Sequence, residues 1–358
     1  MSIRIGFIGV GGIAADHLMN LLHISEVEVI ALCDLSLDRI QTTRQMVNQR
    51  LALAVSRSPG SPENARIDRL LDAVPYHDYQ PMLRNEHLDA VYICLPPFAH
   101  GDPEEAVIAS GLPMLVEKPV ALDLSTAARI LQGIRRKGLM AASGYQTRYT
   151  THLQRAHELL CGRTIGMVVA TRFGQTPTTS WYHLQSKSGG QVIEMATHQI
   201  DMLRYLVGEV TTVYAAAATR INHTKQPEYD IFDVNCMTLT FENGAVGTFA
   251  VNFISGHGSP SEARGLHIFC DGLTLSLGTT LRAIFAERIE EIALDSDALA
   301  AEDQAFVRAV ATRSPEPLRS DYINGLRTLA VTIANDRSAR SGHPVNVPQL
   351  LAAEAPNI

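Results

Sequence analysis

The sequence is short of several things that would each have fixed its class. It has no apolar run of about eighteen residues, so no segment reads as a membrane-spanning helix. No basic stretch and small-residue cleavage site precede the first apolar segment, which makes the cytoplasm the expected compartment. Cysteine is sparse and odd in number: Cys33, Cys94, Cys161, Cys236 and Cys270 fall at irregular spacing, with no Cys-x-x-Cys pair. That pattern excludes a disulfide framework and the common zinc and redox motifs. Cys33, Cys94 and Cys236 lie in apolar, strand-like runs, where a reduced thiol acts as a small hydrophobe. There is no block of Lys and Arg, and the net charge is only -7, so nucleic acid is not an expected partner. What remains is a chain of 358 residues, 46% hydrophobic and 19% charged, long enough for two domains.

The most informative stretch runs from Ile3 to Asp34. Ile3, Ile5, Phe7 and Ile8 make a short apolar strand, and Gly9-Val-Gly11-Gly12-Ile13-Ala14 follows at once. Leu18, Leu21 and Leu22 then share a helical face, and a second strand, Val27 to Cys33, ends on Asp34. This is the G-x-G-x-x-G/A fingerprint in its working context, strand before and helix after, with an acid about 20 residues further on. Gly9 permits the tight turn, Gly11 lets the backbone approach a pyrophosphate, and Ala14 is small enough for the helix to lie on the sheet. The pyrophosphate would rest on free N–H groups at the helix N-terminus, and Asp34 would accept hydrogen bonds from the adenosine ribose. The spacing therefore predicts dinucleotide binding; the plain alternative is a βα turn whose glycines serve packing only.

Strands and helices continue to alternate up to Tyr145. Asp89–Leu95 is a strand closed by Pro96-Pro97, Asp102-Pro103-Glu104-Glu105 opens a helix with Asp102 as its N-cap, and Met114–Glu117 is the next strand. Connections are short, so the sheet is expected to be parallel and doubly wound. The turn-rich segment Ser56–Asn64 reads as an exposed loop. After Tyr145 the pattern changes. A helix from Val192 to Val207 is followed by antiparallel strands, with hairpin signals at Asn243-Gly244 and Asp271-Gly272, and by two C-terminal helices. The fold class is α/β: a Rossmann domain over 1–145, then an α+β domain with a mostly antiparallel open sheet over 146–358.

Two constellations carry chemistry. Glu117-Lys118-Pro119 lies at the C-terminal end of a parallel strand, the edge where open α/β sheets gather their ligands. Lys118 there can donate to a substrate hydroxyl, or it can be a surface residue paired with Glu117. Glu194, His198 and Asp201 stand at i, i+4 and i+7 of one expected helix and so share a face. A histidine with a carboxylate one turn away can serve as a general base. A solvated helix face and a metal site are the competing readings, the latter disfavoured because one helix rarely aims three ligands at one ion.

Gly9–Ala14, Leu95-Pro96-Pro97-Phe-Ala-His100, Glu117-Lys118-Pro119, Gly189-Gly190 and Glu194-Met-Ala-Thr-His198 occur in that order. Together they resemble the glucose–fructose oxidoreductase/inositol dehydrogenase/rhizopine-catabolism family of NAD(P)-dependent oxidoreductases over nearly the whole chain. The resemblance implies that substrate is held between the Rossmann edge and the β domain, with Lys118, Glu194 and His198 lining the reacting carbon. It implies cofactor contacts from Gly9, Gly11, Gly12, Ile13, Asp34, Arg39, Leu95, Pro96, His100, Glu117 and Lys118. No resident metal is implied. Many members carry aspartate where this chain has Glu194, and the proline-rich stretch near Ser58–Ser61 is outside the common pattern.

The activity implied is oxidation of a secondary alcohol of a sugar, sugar acid or cyclitol with NAD, NADP remaining open. Arg148, Trp181, Tyr182 and His183 are the candidates for binding the other hydroxyls. Two rivals follow from the same resemblance: a redox-assisted glycoside hydrolase that holds NAD tightly, and a non-catalytic regulator that senses a dinucleotide. Retention of Lys118 and His198 speaks against the regulator. The strands Cys236–Phe241 and Val246–Phe253 read as apolar on both faces of their sheet, so a homodimer or a tetramer of dimers, packed through that sheet, is expected.

Overall fold

A computed structural model describes residues 2–54, 70, 72–226, 228–255, 265–293, 297–356 and 358. The loop expected at Ser56–Asn64, with the stretch near Ser58–Ser61, lies outside the described residues. The chain divides into two compact units.

The first unit comprises Met1–Glu117, Arg129–Gln146 and Asp297–Tyr322. Its six strands are β1 (Ile3–Ile8), β2 (Val27–Cys33), β3 (Val74–Tyr76), β4 (Ala90–Ile93), β5 (Met114–Val116) and β6 (Ala141–Ser143). They form one parallel sheet in the order β3-β2-β1-β4-β5-β6, the doubly wound arrangement the alternation predicts. The order reverses at β1, so the ends of β1, β2, β4 and β5 present the glycine loop, Asp34, Leu95-Pro96 and Glu117 along one edge. Helix α1 (Gly12–Leu21) covers the sheet with Ala14, Leu18 and Leu21, all fully or nearly fully buried. A single cut after residue 145 does not describe this unit, because the late helix Ala298–Thr312 returns to it. Phe306 of that helix meets Tyr92 edge-on at 5.3 Å, and Tyr92 stacks on Phe7 at 4.8 Å. The helix Asp102–Ala109 begins one residue earlier than its composition suggests: Gly101 is the N-cap, and Glu104 Oε2 accepts from the Gly101 N–H at 2.7 Å.

The second unit comprises Lys118–Ala128, Thr147–Ser296 and Ile323–Ile358. Its sheet runs β14-β13-β12-β11-β7-β10-β9-β8-β15 among the described residues. The strands are β7 (Ile165–Phe173), β8 (Val210–Ala218), β9 (Val234–Phe241), β10 (Val246–Asn252), β11 (Gly265–Cys270), β12 (Leu273–Leu277), β13 (Thr280–Ile284), β14 (Ile289–Ala293) and β15 (Val345–Asn346). All neighbours are antiparallel except β7 and β10. Both expected hairpins form, with Gly244 at φ 87° and Gly272 at φ 67° supplying the left-handed turn positions.

Two expectations are corrected here. The large apolar side chains of β9 and β10 are not shared evenly between the faces: Met237, Leu239, Phe241, Phe249 and Val251 all point to one buried face, while Val246 points to the other. Helices Thr151–Leu160, Thr197–Val207 and Val347–Glu354 contact that sheet at β13, β7 and β8. The opposite face carries Thr238, Thr248 and the exposed Cys236, which is thus no core thiol. The helix expected from Val192 to Val207 is also broken. A short turn, Gln191–Glu194, ends before Met195-Ala196, and a new helix spans Thr197–Val207. Glu194 is therefore not on the helix that carries His198 and Asp201, and the shared-face argument fails.

Candidate active site

In the first unit the residues around the glycine loop make a cradle for a dinucleotide. Gly9 sits at φ 85°, and a Cβ there would come within 2.4 Å of the Cys94 carbonyl oxygen and 2.9 Å of a Leu95 methyl. The loop thus passes hard against the end of β4, which only glycine allows. At Gly11 and Gly12 a Cβ would meet nothing within 4 Å, so the space above the first turn of α1 is open for a phosphate to reach its N–H groups. Ile13 is partly buried against the core below that turn. Asp34 is locked in place: Oδ2 accepts from Val10 N–H at 3.2 Å and Oδ1 from Ser36 N–H at 2.9 Å. Arg39 Nε lies 3.8 Å from that carboxylate, largely in solvent. His100 turns toward the helix that follows it, with Nδ1 2.5 Å from Glu104 Oε1. These groups fit a dinucleotide whose ribose hydroxyls meet a fixed carboxylate.

Beneath the cradle lies a buried ionic cluster. His17 Nδ1 is 2.7 Å from Asp303 and Nε2 is 3.1 Å from Glu117, with all three side chains within a few percent of complete burial. Glu302 is fully buried beside them, and His17, Glu117 and Glu302 each offer a ligand atom within 4.8 Å of the others. A metal there would have to displace a carboxylate from His17, because both ring nitrogens are already engaged. Gly144 makes room for the cluster, since a Cβ at that position would stand 2.7 Å from the Glu117 carboxyl carbon. Burial alone would lower the His17 pKa, but Asp303 and Glu117 override it and hold the imidazolium well above 6.5. A group with a raised folded pKa contributes stability that is fully present below its unfolded value, near 6.5. That contribution is lost as pH rises through the folded pKa. The melting temperature is therefore expected to fall through the alkaline range, and less steeply in His17→Gln. Parallel pH–stability curves for the two proteins would contradict this.

In the second unit Lys118 and Glu194 form a close pair. Lys118 Nζ donates to Glu194 Oε1 at 3.1 Å, to Oε2 at 2.9 Å and to the Glu194 carbonyl at 3.0 Å. The break at Met195-Ala196 exposes that carbonyl to the lysine, and the extra methylene of glutamate lets both carboxylate oxygens reach it. Arg172, near the end of β7, lies close enough for Glu194 to act on its charge: burial lowers the Arg172 pKa, and Glu194 opposes the shift. Lys118 and Arg172 thus both lie in range of the Glu194 carboxylate. His198, half-buried, stands in the first turn of the next helix.

Residues 3–145 match the family model described as the oxidoreductase family with an NAD-binding Rossmann fold, and residues 153–275 match the GFO/IDH/MocA C-terminal domain. The chain belongs to the Gfo/Idh/MocA family. It is an NAD-binding oxidoreductase. Among its relatives, the uncharacterized oxidoreductase YrbE of Bacillus subtilis is 27% identical over 246 residues, which cover 67% of this chain and 64% of YrbE. The myo-inositol 2-dehydrogenase of Thermotoga maritima is 24% identical over 250 residues, covering 68% of this chain and 67% of that one. The crystal structure of the WlbA dehydrogenase from Bordetella pertussis, in complex with NADH and UDP-GlcNAcA, superposes with a TM-score of 0.78 at 22% identity. That alignment covers 97% of this chain and 99% of WlbA. No described helix is long and apolar enough to cross a membrane.

Other expected site residues of this Gfo/Idh/MocA chain are placed differently. Arg148 is 5% exposed, and its Nε and Nη2 both bond Asp201 at 2.7 Å. Asp201 also accepts from Thr328 Oγ1 at 3.0 Å, so this bidentate pair fastens the segment after β6 to the helix Thr197–Val207. Asp201 thus has buried partners on two other segments, and the Arg148 guanidinium is engaged by its carboxylate. His183 is 8% exposed with Nε2 2.7 Å from the Pro177 carbonyl oxygen, so it braces its own loop. Trp181 stacks on Tyr182 at 3.9 Å. The residues overlooked in the sequence are His17, Asp303 and Arg172. His17 had a signal: it lies one turn before Leu21, on the apolar stripe of α1, where a polar side chain needs a buried partner.

Proposed function

We propose that this enzyme oxidises a secondary alcohol of a polyol, sugar, sugar acid or cyclitol, with NAD as the hydride acceptor. The observation that carries the reading is the Lys118–Glu194 pair with His198 four residues on. Lys118 donates to the Glu194 carboxylate, and its role is that of a hydrogen-bond donor. It hydrogen-bonds the substrate oxygen and stabilises developing alkoxide character. His198 takes the hydroxyl proton. Glu194 holds the lysine and balances its charge. NAD, when bound, supplies the acceptor for the hydride that leaves the same carbon. A panel of polyols, sugars and sugar acids with NAD, followed by the absorbance of the reduced nicotinamide, tests this reading. Glycoside cleavage without net reduction would replace it with the redox-assisted hydrolase.

The fixed Asp34 carboxylate implies a preference for NAD over NADP. A 2′-phosphate would face a like charge, at a cost of several kcal/mol that Arg39 offsets only in part. Titration calorimetry is expected to show NADP binding weaker by on the order of tenfold or more. Equal affinities would remove Asp34 from cofactor selection.

Assembly through the open sheet face remains the proposal, on a revised basis. Register places Val246, Met167 and Phe269 side by side across β10, β7 and β11, and they are 47%, 45% and 39% exposed. Around them the face offers small or β-branched Thr238, Thr248 and Ala250. Such a face suits a second copy packed about a two-fold axis. Light scattering is expected to give a multiple of 39.0 kDa for the native chain and a smaller species for Met167→Asp. A native mass near that of one chain would end the proposal.

A further inference from the structure

A small cavity in the second unit is lined by Gln185, Gln191, Asn235, Asn335 and Asp336, and its room, ≈ 10 Å³, suits one water-sized occupant. Gln191, Asn235 and Asn335 are 2%, 3% and 2% exposed. In each of these, and in Gln185, the side-chain amide oxygen has no hydrogen-bond partner among the described residues. The glutamine orientations are fixed by what their amide nitrogens do. Gln185 Nε2 donates to the Gly189 carbonyl at 3.1 Å and Gln191 Nε2 to the Phe232 carbonyl at 3.0 Å, so neither amide can turn over without losing its bond. The positions are as unusual as the oxygens. Asn235 occupies the inner face of β9, in the row otherwise made of Met237, Leu239 and Phe241. Asn335 follows fully buried Ala334 on the helix Tyr322–Ser341. Buried amides without partners are costly, and four around one small cavity call for a shared occupant.

A single water donates two hydrogen bonds and leaves two of the four oxygens unmet. A cation, which accepts several oxygen ligands at once, is not limited in this way. The ligand set is hard oxygen, mostly neutral amide. Asp336 is the one carboxylate, and its charge is matched by Arg340 Nε at 2.8 Å. With no uncompensated negative charge, a divalent ion would not recover its hydration energy, whereas a monovalent ion held by amide dipoles would.

We propose that this cavity is a site for an alkali cation, Na⁺ or K⁺, bound by the amide oxygens of Gln185, Gln191, Asn235 and Asn335. Gln191 opens the turn that ends at Glu194, so the ion fastens that turn to β9 and to the helix Tyr322–Ser341. The proposal does not rest on the polyol reading. Thermal unfolding of the full chain at fixed ionic strength in KCl, NaCl and tetramethylammonium chloride tests it. The melting temperature is expected to be about 2–4 °C higher in one or both alkali salts, saturating with concentration. The comparison of the two alkali salts identifies the ion. In Asn335→Leu, or in Gln191→Met where the first variant folds poorly, the alkali-specific rise is expected to vanish. Equal melting temperatures of the native chain in all three salts would overturn the proposal. So would a rise that persists unchanged in the folded variants, since the ion would then bind elsewhere.

Discussion

His198→Ala is expected to lower kcat by roughly 10²–10⁴-fold, the contribution of a positioned general base. Lys118→Ala is expected to lower it by about 10²–10³-fold, the loss typical of one donor aimed at a developing oxyanion. The two changes act differently on what remains. Without His198 the hydroxyl proton has no acceptor, so the pH dependence of kcat/KM loses its imidazole limb. Without Lys118 that limb stays and the plateau drops. Affinity for NAD is expected to survive His198→Ala nearly intact and to fall to some degree in Lys118→Ala, since Lys118 is also among the expected cofactor contacts. Glu194→Asp retains the charge but shortens the reach to Lys118 Nζ, now spanned at 2.9 Å and 3.1 Å. It should therefore retain more activity than Glu194→Gln, which removes the counter-charge. Near-normal turnover in His198→Ala would exclude it as the base.

The second large effect is on stability. Arg148→Met removes one partner of an ion pair whose side chains are 6% and 1% exposed, leaving the Asp201 carboxylate buried. Breaking such a pair costs about 3–5 kcal/mol, toward the lower end here because Thr328 and Arg204 remain near Asp201. A fall in melting temperature with KM little changed in the surviving folded fraction is the expected outcome. A rise in KM at unaltered stability would return Arg148 to the substrate-binding role that the sequence suggests.

Much of the framework is local and therefore legible in the sequence. Alternation of apolar residues at Ile3–Ile8 and Val27–Cys33, the glycines at 9, 11 and 12, and Asp34 at the strand end specify a dinucleotide cradle, because each acts within a few bonds of its neighbours. The hairpins at Asn243-Gly244 and Asp271-Gly272 are legible for the same reason: φ is a property of the residue itself. Periodicity also separates the two faces of β9 and β10. It does not say which face meets helices, and the strong apolar rows proved to share one side while Cys236 went to the other.

The tertiary structure alone decided who meets whom. Lys118 meets Glu194 across 76 residues of chain, Arg148 meets Asp201 across 53, and His17 meets Asp303 across 286. An ionised side chain carries no mark of its partner in the local pattern; only the fold brings the opposite charge within hydrogen-bond reach and removes the water that would otherwise compete. The break at Met195-Ala196 belongs with these, since helical spacing there favours one continuous helix. Sequence periodicity fixes which side of an element is apolar, whereas the pairing of buried charges depends on distances between elements that no local pattern encodes.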